Sequence, residues 1–234
     1  MSQQLHEVIP VGLVPEQVRA RIRSISAAYT KSSDFVRLNR PRSERNLVLY
    51  NLLTSVISYL DVCVKNMEGP IAVLALCTRT VFELNLRTRH ILKAETNLRA
   101  WIAEAGVDQV GVLKCILELA AADDPRAAIL RQEILRIESL TSKHAFIAKK
   151  PTTIKTLATE VGLGGEYSSL FKLWSKLVHP SSYLVNTVGV LDDRQTRLVL
   201  LAHLQLYALD LLRQVADELE IPDTTIAPER NGEP

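Results

Sequence analysis

Aromatic residues make up only 5% of the chain, and glycines number nine. A many-stranded β fold draws on both, for cross-strand packing and for tight turns, so their scarcity argues against one. Cysteine is scarce too: Cys63, Cys77 and Cys115 form no C-x-x-C pair and have no histidine at ligand spacing. Each sits in an apolar helical run, where a thiol is expected to act as a small buried hydrophobe in a reducing cytosol. Residues 1–10 carry no charged start followed by an apolar core. The longest uninterrupted apolar run, "IAVLALC", is far shorter than the roughly 20 residues that span a bilayer. The expectation is therefore a soluble cytoplasmic protein with no membrane partner. There is no glycine-rich phosphate loop, no H-E-x-x-H and no EF-hand pattern, and the histidines (His6, His90, His144, His179, His203) are scattered. Neither a metal nor a cofactor is expected.

What the chain does have is leucine, alanine, arginine and glutamate, which suit helices. Apolar residues recur at helical spacing, and no segment alternates long enough to be a strand. The pattern predicts helices from Pro15 to about Tyr29, Ser43 to Met67, Pro70 to Ala105 (with Gly106 as C-cap), and Asp108 to Ala121. Further helices are predicted from Pro125 to about Ala148, Ile154 to Val161, Glu166 to Val178, and from an Asp192 or Asp193 cap to about Glu220. The reading is all-α: a single bundle of about seven to eight helices with a central apolar helix. Residues 1–14 are expected to be a flexible lead-in, 15–222 the bundle domain, and 223–234 a disordered tail.

In the central helix, Arg79 and Glu83 are the charges between Ile71 and Leu86, and their i, i+4 spacing puts them in line with Ala72, Leu76 and Leu86. On a buried face such a pair would cost several kcal/mol to desolvate unless tightly paired. It is read either as a structural tie or as the border of a pocket. The second constellation is "LWSKLVHPSS". Proline disfavours the α region in the residue before it, so the helix stops near His179. Ser175 lies one turn behind on the same face. His179 and Ser175 sit at the edge of an apolar stripe, where side chains can reach a cleft. "LATEVGL" resembles the start of a helix-turn-helix, but the following helix offers Ser168, Ser169 and Lys172 in place of base-reading side chains. From Glu16 to Arg45, eight basic residues face three acids. This is read as a phosphate footprint centred on Arg37, Arg40, Arg42 and Arg45, or as a solvated face.

"RTVFE", followed far downstream by "EYSSLFKLWSKLVHPSS", resembles an uncharacterised bacterial all-helical family, domain-of-unknown-function family 5677. Its pattern is an R-x3-E helix, then a tyrosine, then a serine four residues before His-Pro-Ser. Those positions are Arg79, Glu83, Tyr167, Ser175, His179 and Ser181 here. More distantly, a helical bundle with a histidine at a helix end is similar to the HEPN superfamily, which includes toxin and antiviral ribonucleases. The chain departs from that superfamily's Arg-x4–6-His motif, with Lys172 and Lys176 ahead of His179. The resemblance implies a nucleic-acid-linked protein in RNA processing or defence, with RNA and a second copy of the chain as partners. Its polar cluster would be Arg79, Glu83, Ser175 and His179; in a metal-independent ribonuclease, His179 would be general acid or base and Arg79 would stabilise the phosphorane. The alternative is a non-catalytic interaction module in which the cluster only fixes helix packing.

Overall fold

The computed structural model describes residues 15–121, 124–143 and 152–226. The expected lead-in, the end of the helix predicted to reach Ala148, and the tail beyond residue 226 lie outside the described residues. The all-α reading holds: among the described residues there are helices and no strand. In chain order these are α1 (Pro15–Asn39), α2 (Glu44–Lys65), α3 (Ile71–Lys93), α4 (Glu95–Leu119), α5 (Pro125–Lys143), α6 (Ile154–Glu160) and α7 (Gly164–Glu166). A π-helix (Tyr167–Phe171), α8 (Lys172–Val178), α9 (Ser182–Leu191), α10 (Arg194–Glu218) and α11 (Asp223–Ile226) complete the list. The chain forms two compact units, one of residues 1–89 and 154–234, the other of residues 90–153.

The first unit is built on three long helices and the greater part of α3. α1 opens on Pro15, whose missing N–H costs nothing in a first turn, with Glu16 placed favourably against the helix dipole. The pattern predicts its end at Tyr29, but the helix runs on to Asn39 because Ser32, Ser33 and Val36 continue the buried face begun by Val18, Ile22, Ile25 and Tyr29. A run of serines reads as a connector, and tertiary packing overrides that propensity. Ser43 caps α2 by accepting the Asn46 N–H at 3.2 Å, and Asp193 caps α10 by accepting the Thr196 N–H at 2.6 Å. The Tyr29 hydroxyl donates to the Ala208 carbonyl at 2.6 Å, tying α1 to α10. α2 and α10 are long and apolar enough to cross a membrane by length and composition alone, yet Leu49, Leu53 and Leu60, and Leu204, Leu211 and Val215, are buried.

Two arginines close the ends of these helices. Arg197 donates to the carbonyls of Met67 (2.8 Å) and Gly69 (2.7 Å) while its Nε donates to Asp192 at 2.6 Å. Arg40 donates to the carbonyls of Leu219 and Glu220, where Glu220 takes a left-handed φ of 47°. Each satisfies carbonyls that a helix end leaves orphaned.

The second unit is an antiparallel hairpin of α4 and α5. The predicted continuous helix from Pro70 to Ala105 instead breaks at Ala94, whose backbone is extended, and Asn97 bridges the break by donating to the His90 carbonyl at 2.8 Å. The expected helix from Asp108 is the second half of α4, so Gly106 is no cap. A Cβ on Gly106 would stand 3.1 Å from Thr141 Oγ1, so glycine there lets the two helices approach. Lys114 and Glu138 pair at 3.0 Å along the same seam. Cys115, expected to be buried, is exposed on α4, while Cys63 and Cys77 are buried as expected.

Candidate functional site

The site is assembled on α3. Its apolar residues run all round the circumference, so the sequence does not say which side faces the core. The structure buries Leu74, Cys77, Thr78, Val81, Asn85 and Thr88. Arg79 and Glu83 therefore lie on the opposite line, with exposed Leu76, and their side chains are 23% and 29% accessible. The expected buried pair is instead part-buried, with Arg79 Nε donating to Glu83 Oε1 at 2.9 Å. About a quarter of each side chain stays in water, so the pair is not fully desolvated.

A second element brings the histidine. The chain turns from α7 through one π-helical stretch, where Ser168 and Ser169 donate to the carbonyls of Gly164 and Gly165 at 2.8 and 2.9 Å. The wider π turn places Tyr167 over Phe171, with ring centroids 4.8 Å apart and planes 22° from parallel. Such single turns occur often at functional sites. The Arg79 guanidinium lies 4.8 Å from the Phe171 ring centroid, a cation–π contact. α8 then ends where Pro180 requires: His179 is extended at φ −89°, ψ 147°, and its N–H donates to the Ser175 carbonyl at 3.2 Å.

At that helix end the exposed imidazole meets the arginine. Arg79 Nη1 donates to His179 Nε2 at 3.2 Å, across 100 residues of sequence. A guanidinium has donors only, so Nε2 supplies its lone pair and the ring proton sits on Nδ1. Arg79, Glu83 and His179 thus converge as the sequence anticipates. Ser175 is half-buried; it gives His179 its carbonyl, and among the described residues its hydroxyl makes no hydrogen bond to the imidazole. Ser181 is a cap: its Oγ accepts the Leu184 N–H at 3.2 Å and donates to the Lys176 carbonyl at 3.1 Å.

Beneath lies an aromatic floor. Phe82 touches Phe171, Trp174 and Tyr207 at centroid distances of 6.1, 5.4 and 4.8 Å. Burial holds the Tyr207 phenol well above its ordinary pKa, reinforced by the carboxylates of Glu166 and Asp210. Among the described residues, Trp174 Nε1 and Tyr207 Oη are buried without a hydrogen-bond partner, so this floor is not polar-satisfied. Sequence reasoning missed Phe171 as the support of Arg79. It also missed Asp210, whose Oδ2 accepts from Asn85 (2.6 Å), Arg89 (2.6 Å) and Gln214 (2.7 Å) and locks α3 to α10.

Three of the four arginines of the expected phosphate footprint have partners within the protein. Arg37 pairs with Asp34 at 2.9 Å, Arg45 with Glu218 at 2.7 Å, and Arg40 caps α10. Arg42 is exposed.

The model of the family of unknown function DUF5677 matches residues 58–195. The chain belongs to this family. All of Arg79, Glu83, Tyr167, Ser175, His179 and Ser181 fall inside the DUF5677 match, whereas Arg37, Arg40, Arg42 and Arg45 lie outside it. No curated protein and no solved structure matches the chain.

Proposed function

We propose that this DUF5677 protein acts on RNA, as a HEPN-like helical protein that cleaves phosphodiester bonds by proton transfer without a metal. The observation that carries the reading is the exposed His179 imidazole held against the Arg79 guanidinium at 3.2 Å. Arg79 is steadied from two other sides, by Glu83 and by Phe171. A base beside a fixed cation is what this chemistry requires: one group to take a proton, another to stabilise charge developing on phosphorus.

The steps follow from the tautomer. In the free protein Arg79 occupies His179 Nε2. An arriving phosphate oxygen replaces Nε2 as the acceptor of the Nη1 hydrogen bond, while Glu83 and Phe171 keep the guanidinium in place. Nε2 is then free to accept the proton of a ribose 2′-hydroxyl. That oxygen bonds to phosphorus and the P–O5′ bond breaks. The leaving 5′-oxygen takes a proton from a water to which His179 passes the proton it holds, giving a 2′,3′-cyclic phosphate, a 5′-hydroxyl and the neutral imidazole. Arg79 neutralises the phosphorane in between.

The three contacts on Arg79 also favour a second reading, in which Arg79 only pins the π-helix to α3 and the protein is a non-catalytic interaction module. Incubation of a mixed-sequence single-stranded RNA with the protein in EDTA separates the two. Fragments ending in 2′,3′-cyclic phosphate, made much more slowly by Arg79→Lys, are expected. RNA left intact by the folded protein overturns the catalytic reading.

A further inference from the structure

We propose that the outward face of α8 is the track for the backbone of a single-stranded RNA, with the Tyr167 ring as its stacking platform; this rests on the RNA reading above. Lys172, Ser175, Lys176 and His179 recur at steps of three and four, so they share one line along the helix and its cap. Lys172, Lys176 and His179 are exposed, while Phe171, Trp174 and Leu177 on the other side are buried. No described carboxylate pairs with either lysine, in contrast to Arg37, Arg40 and Arg45, each of which meets a carboxylate. Unpaired charge is therefore available to an incoming phosphate on α8, beside Arg79, whereas three of the four arginines that the sequence singles out already meet a carboxylate.

A second ingredient coincides with it. Single strands are held by a basic surface that tracks phosphates together with aromatic rings on which bases stack. The Arg37–Arg45 segment has no interleaved aromatic pair. At the other place, Tyr167 is half-buried and stacked on Phe171, and Phe171 in turn carries Arg79. Two lysines, an arginine, the histidine and the half-buried Tyr167 ring, backed by Phe171, thus stand together. A duplex would present no free base to that ring, which selects a single strand.

The test is fluorescence anisotropy of a labelled 12-nucleotide oligouridine across a salt series, using the full chain with His179→Ala to prevent turnover. Each phosphate contact on a single strand contributes about 0.7 to the slope of log affinity against log salt. Lys172→Gln with Lys176→Gln should lower that slope by about 1.4 and weaken binding at low salt by about tenfold. Tyr167→Ala should weaken binding with the slope unchanged, whereas Arg37→Gln with Arg45→Gln should change neither. The proposal is overturned if the lysine pair leaves the slope intact, or if the arginine pair removes it. Cleavage by wild type with an unmoved lysine slope would sink the track and leave the reaction standing. Lysine-dependent binding without cleavage would do the reverse.

Discussion

Replacing Glu83 by glutamine keeps the shape of the side chain and removes its charge. On a buried face this would strand the Arg79 guanidinium and cost about 3–5 kcal/mol. The pair is instead part-buried, at 23% and 29% accessible, open to water on one side and spaced i, i+4. Pairs of that kind contribute about 0.5 kcal/mol. In a chain of this size about 1 kcal/mol moves the midpoint by roughly 2–4 °C, so Glu83→Gln should lower it by only about 1–2 °C. Arg79→Ala goes further. It loses the pair, the cation–π contact with Phe171, about 0.5–1 kcal/mol, and the hydrogen bond to His179, about 1 kcal/mol. The sum is about 2–2.5 kcal/mol, or roughly 4–10 °C. Thermal denaturation followed by circular dichroism measures both. A drop above about 8 °C for Glu83→Gln would refute the placement of this face, because only a desolvated pair carries that much energy.

Asp210→Ala should cost about 2–4 kcal/mol, more than Glu83→Gln, because Asn85 Nδ2 and the Arg89 guanidinium lose their shared acceptor; urea unfolding of the two variants side by side gives the order. Cys115 should react with a thiol reagent at pH 8 in the native protein, while Cys77, whose pKa is pushed up to about 11 by burial, and Cys63, pushed up further, should react only on unfolding. The Thr196 N–H holds the Asp193 carboxyl below its ordinary pKa. Its contribution is therefore present above the ordinary value near 4 and is lost as pH falls through the lower folded-state value. Asp193→Asn, which still caps but does not titrate, should flatten the urea midpoint against pH in that acid range, and an unchanged profile would count against the cap.

The all-α class and most of the long helices were legible because apolar residues recur at helical spacing and Pro15, Pro125, Asp193 and Pro180 punctuate the chain. The helix Ser182–Leu191 was not anticipated. Boundaries went astray where packing outweighs composition. Ser32 and Ser33 read as linker but are buried, and Gly106 reads as a cap but serves a close helix approach. The meeting of Arg79, Glu83 and His179 was anticipated, yet from a mistaken premise, since a helix apolar on all sides conceals which face is buried. The pairing of Arg40 and Arg45 with acids was out of reach for a related reason. The carboxylates of Glu218 and Glu220 lie far along the chain from Arg45 and Arg40 and are brought to them only by the packing of α10 against α1 and α2.

The central claim is that His179 acts on RNA and is not mainly a packing element, and one variant tests it most directly. His179→Ala removes an exposed side chain at a helix end, so its melting midpoint should stay within about 2–4 °C of wild type, corresponding to about 1 kcal/mol. Loss of a general base should at the same time lower the rate of RNA cleavage by about a hundredfold or more. A variant that melts like wild type and cleaves single-stranded RNA at the wild-type rate would contradict the account, as would one destabilised as much as Arg79→Ala.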